Sequence, residues 1–210
     1  GMDHRMGKLF NFSNLINKYN ILSIDLPGHG YTSGPVEANI CEYSLFCNEA
    51  LEELKIDNPF IVGHSMGGLV ALDLAKINEN TNPILMNTSY PLLVGEILLE
   101  YAKGNLDQAA EFLTKYGVRE LPDVEIKSAG FGVQGSGFYG RSKGVIKSPY
   151  GTKVVESDPE REIKLYPLKK IFNQTHKEIL SKDLKACSTY KVNIDEINNI
   201  EKFKFIFGEK

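Results

Sequence analysis

One glycine-bounded turn constrains this sequence more than any other feature. The turn has the pattern G-x-S-x-G and consists of Gly63, His64, Ser65, Met66 and Gly67. A short apolar run at residues 60–62 precedes it, and an apolar helix-like stretch begins at Leu69. A strand that turns this sharply into a helix leaves little space, so we expect a side chain at position 63 or 67 to clash and Ser65 to be strained. Such a turn presents the Ser65 hydroxyl above a sheet and the Met66 N–H at a helix N-terminus, where it can stabilise an oxyanion.

Residues 1–90 alternate between helix-like and strand-like segments. Short apolar runs at residues 21–24, 60–62 and 83–86 are typical of buried strands, and helix-like stretches precede them. Another such run, at residues 203–207, comes close to the end of the sequence. The alternation predicts an α/β fold, in which helical crossovers join the strands of a mostly parallel sheet.

After the third strand-like run the pattern becomes mainly helical. Asn105 is expected to cap a helix that Gly117 ends. Further helices are predicted at residues 92–103 and 166–190, and a glycine-rich loop is predicted at residues 129–144. The predicted organisation is a first part of the core at residues 1–90, a helical insertion at residues 91–182 and a return to the core at residues 183–210.

A second motif comes directly after the first strand-like run, where residues 25–33 read DLPGHGYTS. A strand that ends in D-x-P-G-H-G-x-S, followed by a G-x-S-x-G turn, resembles the α/β-hydrolase fold superfamily, and the resemblance covers residues 21–89. Residues 187–208 resemble the segment between this family's cap and its next core strand. The resemblance implies Ser65 as the nucleophile, Met66 as one oxyanion donor and the insertion as a cap that shapes the substrate pocket. The other residues of this nucleophile elbow are Gly63, His64 and Gly67.

The serine at the elbow narrows the reaction that the resemblance implies. Epoxide hydrolases and haloalkane dehalogenases of this superfamily carry Asp at the elbow, whereas Ser65 favours acyl chemistry. In that chemistry the hydroxyl attacks a carbonyl, an acyl-enzyme forms and water releases it. Small esters, thioesters or lactones are the expected substrates. C–C bond hydrolysis and cofactor-free perhydrolysis use the same motif and stay open.

The resemblance also implies an acid and a histidine that complete a catalytic triad. The acid is expected one position beyond Lys210, with the histidine later, and the family's first oxyanion loop is expected before the first helix. We therefore expect a chain truncated at both ends, with negligible esterase activity of its own. A catalytically inactive, hydrolase-like binding or regulatory protein is the alternative.

None of the four histidines is expected to replace the catalytic one. His29, in the G-H-G turn, is expected to make a structural hydrogen bond. His64 is adjacent to Ser65, and neighbouring residues of such a turn point apart. His4 is expected to be exposed, and His176 to serve in packing or on the surface of a helix.

Charge and cysteine content bear on partners and location. A net charge of -3 and a pI of about 5.9 give no sign of binding to nucleic acid or to an anionic membrane. No apolar run approaches the roughly 18 residues of a membrane span. The three scattered cysteines fit neither a disulfide framework nor a metal site, and they favour a reducing, cytoplasmic location. Gly1 and Met2 are interpreted as an expression scar, with no signal peptide after them.

A glycine pattern at residues 130–135 is a possible cofactor motif. G-x-G-x-x-G binds a dinucleotide only when a helix begins directly after it, and here Gly137, Gly140 and Gly144 follow instead. We therefore predict no cofactor and no metal. The expected partner is a small acyl substrate, and the oligomeric state is left unpredicted.

Overall fold

The computed structural model describes residues 2–9, 14–37, 39–117, 143–148, 151–156, 177–193, 195, 197 and 200–207. Its central sheet contains three parallel strands in the order β1 (Phe60–His64), β2 (Asn82–Met86) and β5 (Lys204–Ile206). In the ladder between β1 and β2, Val62 lies opposite Ile84. The parallel α/β sheet is confirmed and contains three of the predicted strands, but the burial expected at residues 60–62 is not found, since Phe60 and Val62 are exposed.

Two helices pack together beside this sheet. They are α1 (Ile40–Glu53) and α2 (Met66–Ile77), and α2 is the crossover from β1 to β2. Asn39 caps α1 because its side-chain oxygen accepts the N–H of Glu42 at 3.0 Å. Residues 68–75 of α2 are all buried, since they lie between the sheet and the surrounding helices. The main core combines Ile40, Tyr43, Cys47, Leu51, Leu69, Val70, Leu74, Ala186 and Cys187.

Three further helices of the described chain pack together in another cluster. They are α3 (Glu96–Gly104), α4 (Leu106–Gly117) and α5 (Lys177–Thr189). Asn105 caps α4 as predicted, since its side-chain oxygen accepts the N–H of Gln108 at 3.1 Å, and α4 ends at Gly117. The buried residues of this cluster are Leu98, Ala102, Ala109, Ala110 and Leu180.

An antiparallel hairpin lies between α4 and α5 in the sequence. Its strands are β3 (Lys143–Ser148) and β4 (Gly151–Glu156). The loop predicted at residues 129–144 is therefore wrong at its end, where positions 143 and 144 pair with β4, and its other residues lie outside those described. The glycine pattern at residues 130–135 also lies outside them.

Two predicted helices differ from the observed ones. The helix predicted at residues 92–103 begins only at Glu96, because Leu92 and Val94 pack against the main core instead. Of the helix predicted at residues 166–190, the structure describes only the part that α5 forms. This helix continues without a break through residues 182 and 183, where the insertion was expected to end.

The prediction of a strand at residues 21–24 is wrong. This segment makes no strand pairing, and Ile21, Leu22 and Ile24 are exposed. A strand needs a hydrogen-bonded partner, and β1 pairs only with β2 in the described part of the chain. The apolar pattern alone could not show this, because pairing depends on which segments the fold brings together.

Candidate active site

Ser65 occupies the junction between β1 and α2 in a strained conformation. Its φ of 53° and ψ of -118° lie where non-glycine residues are rare. The Ser65 N–H donates to the carbonyl oxygen of Met86 at 3.1 Å. The Ser65 carbonyl accepts the N–H of Gly68 at 2.9 Å and the hydroxyl of Thr88 at 3.0 Å. The strained turn predicted from the sequence is therefore present, and hydrogen bonds hold it on both sides of Ser65.

The glycines of the turn have different roles. A Cβ at Gly63 would lie 2.1 Å from the carbonyl oxygen of Gly67, so position 63 requires glycine as expected. The clash expected at Gly67 is not found, since a Cβ there meets no atom within 4 Å beyond its own helix. Gly68 is the second restricted position, because a Cβ would lie 1.9 Å from the Thr88 hydroxyl oxygen. The sequence shows two successive glycines but not which of them faces Thr88.

Met66 is the first residue of α2. The N–H groups of a first helical turn have no partner within the helix, so they are available to bind a negative oxygen. The Met66 side chain is half-buried and packs against the main core. Packing of this side chain fixes the start of the helix directly after Ser65.

The G-H-G turn is anchored by a buried contact between His29 and Asp183. The Nε2 atom of His29 lies 2.8 Å from a carboxylate oxygen of Asp183, and Nδ1 lies 3.0 Å from the carbonyl oxygen of Pro27. The Tyr43 hydroxyl donates to the other oxygen of Asp183 at 2.8 Å. Burial opposes ionisation of Asp183, but nearby positive charge and the hydrogen bond with His29 outweigh it and lower the pKa of Asp183. The structural role predicted for His29 is confirmed.

His4 differs from its prediction. It is half-buried rather than exposed, and its Nδ1 lies 2.8 Å from a carboxylate oxygen of Asp25. Its backbone N–H donates to the other Asp25 oxygen at 2.6 Å, and its ring stacks on Tyr31 with centroids 5.1 Å apart. The acceptor that holds His4 is 21 residues away in the chain, so local sequence gave no signal for it.

Asp25 organises the loop that follows it. It is buried and accepts the N–H of Tyr31 at 2.9 Å, in addition to the bonds from His4. A Cβ at Gly30, whose φ is +51°, would lie 2.1 Å from the Asp25 carboxylate, so this close approach requires glycine. Burial alone would raise the pKa of Asp25, but the hydrogen bonds from Tyr31 and His4 outweigh it and lower the pKa.

No described side chain is positioned as a catalytic base for Ser65. Among the residues that the structure describes, none hydrogen-bonds the Ser65 hydroxyl. His4 and His29 bond to carboxylates elsewhere, and His64, at the end of β1, has an exposed side chain. His176 lies outside the described residues. The site therefore consists of the Ser65 turn, the first turn of α2 and Thr88.

The described residues show little sign of metal binding at this turn. The one described cluster with metal-ligand atoms close together is Asp3, His4 and Asp25, whose side chains already bond to Arg5 and to one another.

No described helix has the length and apolar character needed to cross a bilayer.

Comparisons with known proteins bear on the family and the fold of this chain. A family model for the alpha/beta hydrolase fold matches residues 2–115. The chain is 30% identical over 118 residues to Esterase Rv0045c of Mycobacterium tuberculosis, a match that covers 50% of this chain and 35% of that protein. It is 38% identical over 68 residues to the dihydrolipoyllysine-residue acetyltransferase component of the acetoin cleaving system of Cupriavidus necator, covering 32% of this chain and 18% of that protein. The chain therefore spans only about a third or less of the length of these two relatives.

Solved structures resemble the whole chain in fold. The esterase EaEST from Exiguobacterium antarcticum aligns with a TM-score of 0.65 at 13% identity, covering 99% of this chain and 80% of that one. A hydrolase from Pseudomonas aeruginosa PA01 aligns with a TM-score of 0.58 at 17% identity, covering 90% of this chain and 60% of that one. At such identities the likeness shows the fold alone.

Proposed function

Because this chain belongs to the α/β-hydrolase fold family, we propose that it is a serine hydrolase that acts on a small ester, thioester or lactone through an acyl-enzyme on Ser65. The observation that carries the proposal is the strained backbone of Ser65. Strain of this kind is costly and is concentrated at functional sites, where it presents a reactive group. Its position between a parallel strand and a helix N-terminus adds the second requirement of acyl chemistry, a place for an oxyanion.

The proposed reaction has two steps. In the first, the Ser65 oxygen forms a bond to the carbonyl carbon while its proton passes to a general base, and the Met66 N–H stabilises the resulting oxyanion. The bond to the leaving group then breaks, and the leaving group takes the proton. In the second step, water attacks the acyl-enzyme and releases the acid with Ser65 restored.

The base and its orienting acid are not assigned to any described residue. Ser65 needs a base because a serine hydroxyl is a weak nucleophile at its own pKa. His29 does not fit this role, since its two ring nitrogens already face Asp183 and the Pro27 carbonyl. His4 is likewise bonded to Asp25. The proposal therefore concerns the nucleophile and the oxyanion site, and it assigns no proton acceptor.

The substrate class rests on the serine and on the relatives. Two proteins with this fold or with partial sequence similarity are named as esterases, which supports an ester as the substrate.

We further propose that residues 91–182 form a cap over Ser65. The buried cluster that α3, α4 and Leu180 form supports this division, although α5 also contributes Ala186 and Cys187 to the main core. A cytoplasmic location is proposed as well, and the three free cysteines support it.

The test is covalent labelling of the complete protein, expressed from its gene, with a fluorophosphonate probe. The proposal predicts an adduct on Ser65 that disappears in Ser65→Ala. Ser33→Ala is the matched control, because Ser33 is an exposed loop serine and its loss should leave labelling unchanged. Absence of an adduct, or equal labelling of Ser65→Ala, would contradict the proposal and favour a hydrolase-like binding or regulatory protein.

A further inference from the structure

We propose that Thr88 is a positioning residue that holds Ser65 in its strained conformation, an inference that rests on the proposed role of Ser65 as nucleophile. Thr88 lies two residues after β2 and is buried, with 4% of its surface exposed. Its hydroxyl oxygen lies 3.0 Å from the carbonyl oxygen of Ser65 and 3.0 Å from that of Met86. One side chain thus contacts the nucleophile's own backbone and the strand beside it.

The contacts fix both torsions that define the strain. The peptide group before Ser65 is held because its N–H donates to the Met86 carbonyl at 3.1 Å. The peptide group after Ser65 is held because its carbonyl accepts from Gly68 and shares the single hydroxyl proton of Thr88 with the Met86 carbonyl. Since φ and ψ turn these two groups relative to the Ser65 side chain, fixing both groups sets the direction of the Ser65 Cα–Cβ bond, from which the hydroxyl projects. Thr88 also contacts the Met86 carbonyl that accepts the Ser65 N–H, so it links the two anchors.

The sheet determines where Thr88 lies. The N–H of Asn87 donates to the carbonyl oxygen of Ile206 at 2.9 Å, which ties the end of β2 to β5. On the other side, Gly68 allows the first turn of α2 to approach, because a Cβ there would lie 1.9 Å from the Thr88 oxygen and 2.7 Å from its Cβ. Thr88 is therefore held between the sheet and the helix, and its hydroxyl has little freedom to leave the Ser65 carbonyl.

Loss of this hydroxyl should slow chemistry at Ser65 more than it weakens binding. Without Thr88, the Ser65 carbonyl keeps the Gly68 N–H as its remaining described donor. The strained conformation is then less favoured, and a smaller fraction of molecules present the serine oxygen correctly. In fluorophosphonate labelling the serine oxygen bonds to phosphorus, the P–F bond breaks and fluoride leaves with the serine proton. The maximal labelling rate kinact should fall, while the half-saturating concentration KI should stay unchanged.

The experiment compares Thr88→Val, which keeps the shape and removes the hydroxyl, with Thr88→Ser, which keeps the hydroxyl and removes the methyl group. For the complete protein we expect kinact to fall by about 3- to 10-fold in Thr88→Val, the factor of one hydrogen bond, and to stay near the parent value in Thr88→Ser. Crystal structures of both variants should show Ser65 moved from its φ of 53° only in Thr88→Val.

Other outcomes overturn the inference. Unchanged kinact and unchanged Ser65 φ in Thr88→Val would show that the hydroxyl does not position Ser65. An equal loss in both variants would show that the methyl packing matters instead. If Thr88→Val does not fold, the labelling rate of folded Thr88→Ser tests the inference instead. A kinact equal to that of the parent supports the inference, and loss of labelling overturns it. Absence of labelling in the parent would refute the nucleophile, whereas the Ser65 φ in the two variants would still test Thr88.

Discussion

His29 and Asp183, 154 positions apart in the chain, form a buried side-chain pair in which Nε2 lies 2.8 Å from the carboxylate. The pair joins the G-H-G turn to α5, and Tyr43 adds a hydrogen bond from α1. Three separate segments of the chain therefore meet at one carboxylate, close to the main core.

Substitution of Asp183 should destabilise the folded protein. We expect Asp183→Asn to lower the free energy of unfolding by about 1–3 kcal/mol, since the buried His29 ring and the Tyr43 hydroxyl would lose the carboxylate oxygens that they contact. Urea unfolding measures this change. Asp57→Asn, at an exposed carboxylate, is the control and should change stability by less than about 0.5 kcal/mol. Equal effects of the two substitutions would contradict the role of the pair.

The two adjacent glycines of the elbow should respond in opposite ways to alanine. Gly67→Ala should be neutral or stabilising by up to about 1 kcal/mol, because its Cβ meets open space and alanine favours helix. Gly68→Ala should destabilise the protein and slow labelling of Ser65, because its Cβ would displace Thr88. Thermal unfolding and fluorophosphonate labelling measure both effects. Similar behaviour of the two variants would refute the contact between Gly68 and Thr88.

The contribution of Asp25 to stability should depend on pH. Hydrogen bonds from Tyr31 and His4, opposed by burial, lower its pKa in the folded state. Its stabilising effect is therefore complete above the unfolded pKa of about 3.9 and is lost as the pH falls through the lower folded pKa. In urea unfolding, the difference in the free energy of unfolding between the parent and Asp25→Asn should stay constant from pH 7 to about pH 4 and narrow below that pH. A difference that stays constant below about pH 4 as well would contradict the cause given for the shift.

The three thiols should differ in reactivity. Burial raises the pKa of Cys47 to about 11, and burial followed by the charge of Asp183 raises the pKa of Cys187 to about 12. Cys41 is exposed, although partial burial and the Asp73 carboxylate also raise its pKa. A disulfide reagent at neutral pH should modify one thiol slowly in the folded protein and three in urea. Loss of the slow reaction in Cys41→Ser would identify Cys41 as the reactive thiol. Modification of all three thiols in the folded protein would contradict the burial of Cys47 and Cys187.

The features that could be predicted from the sequence are local ones. The elbow follows from an apolar run next to Gly63, and the start of α4 follows from Asn105 and Gln108, because each signal lies within a few residues. The contact between Gly68 and Thr88 depends on β1 lying beside β2 in a particular register, which no local pattern encodes. The bond between His4 and Asp25 also depends on distant residues. Residues 21–24 have the composition of a strand but pair with no described strand, because pairing too depends on distant segments.

The most direct test of the nucleophile is to trap its acyl intermediate. The complete protein is incubated briefly with p-nitrophenyl acetate, quenched in acid and digested, and the acetylated peptide is identified by mass spectrometry. We predict an acetyl group on Ser65, formed together with release of p-nitrophenol and absent in Ser65→Ala. Ester hydrolysis without an acetyl group on Ser65, or hydrolysis that persists in Ser65→Ala, would contradict the assignment of Ser65 as nucleophile.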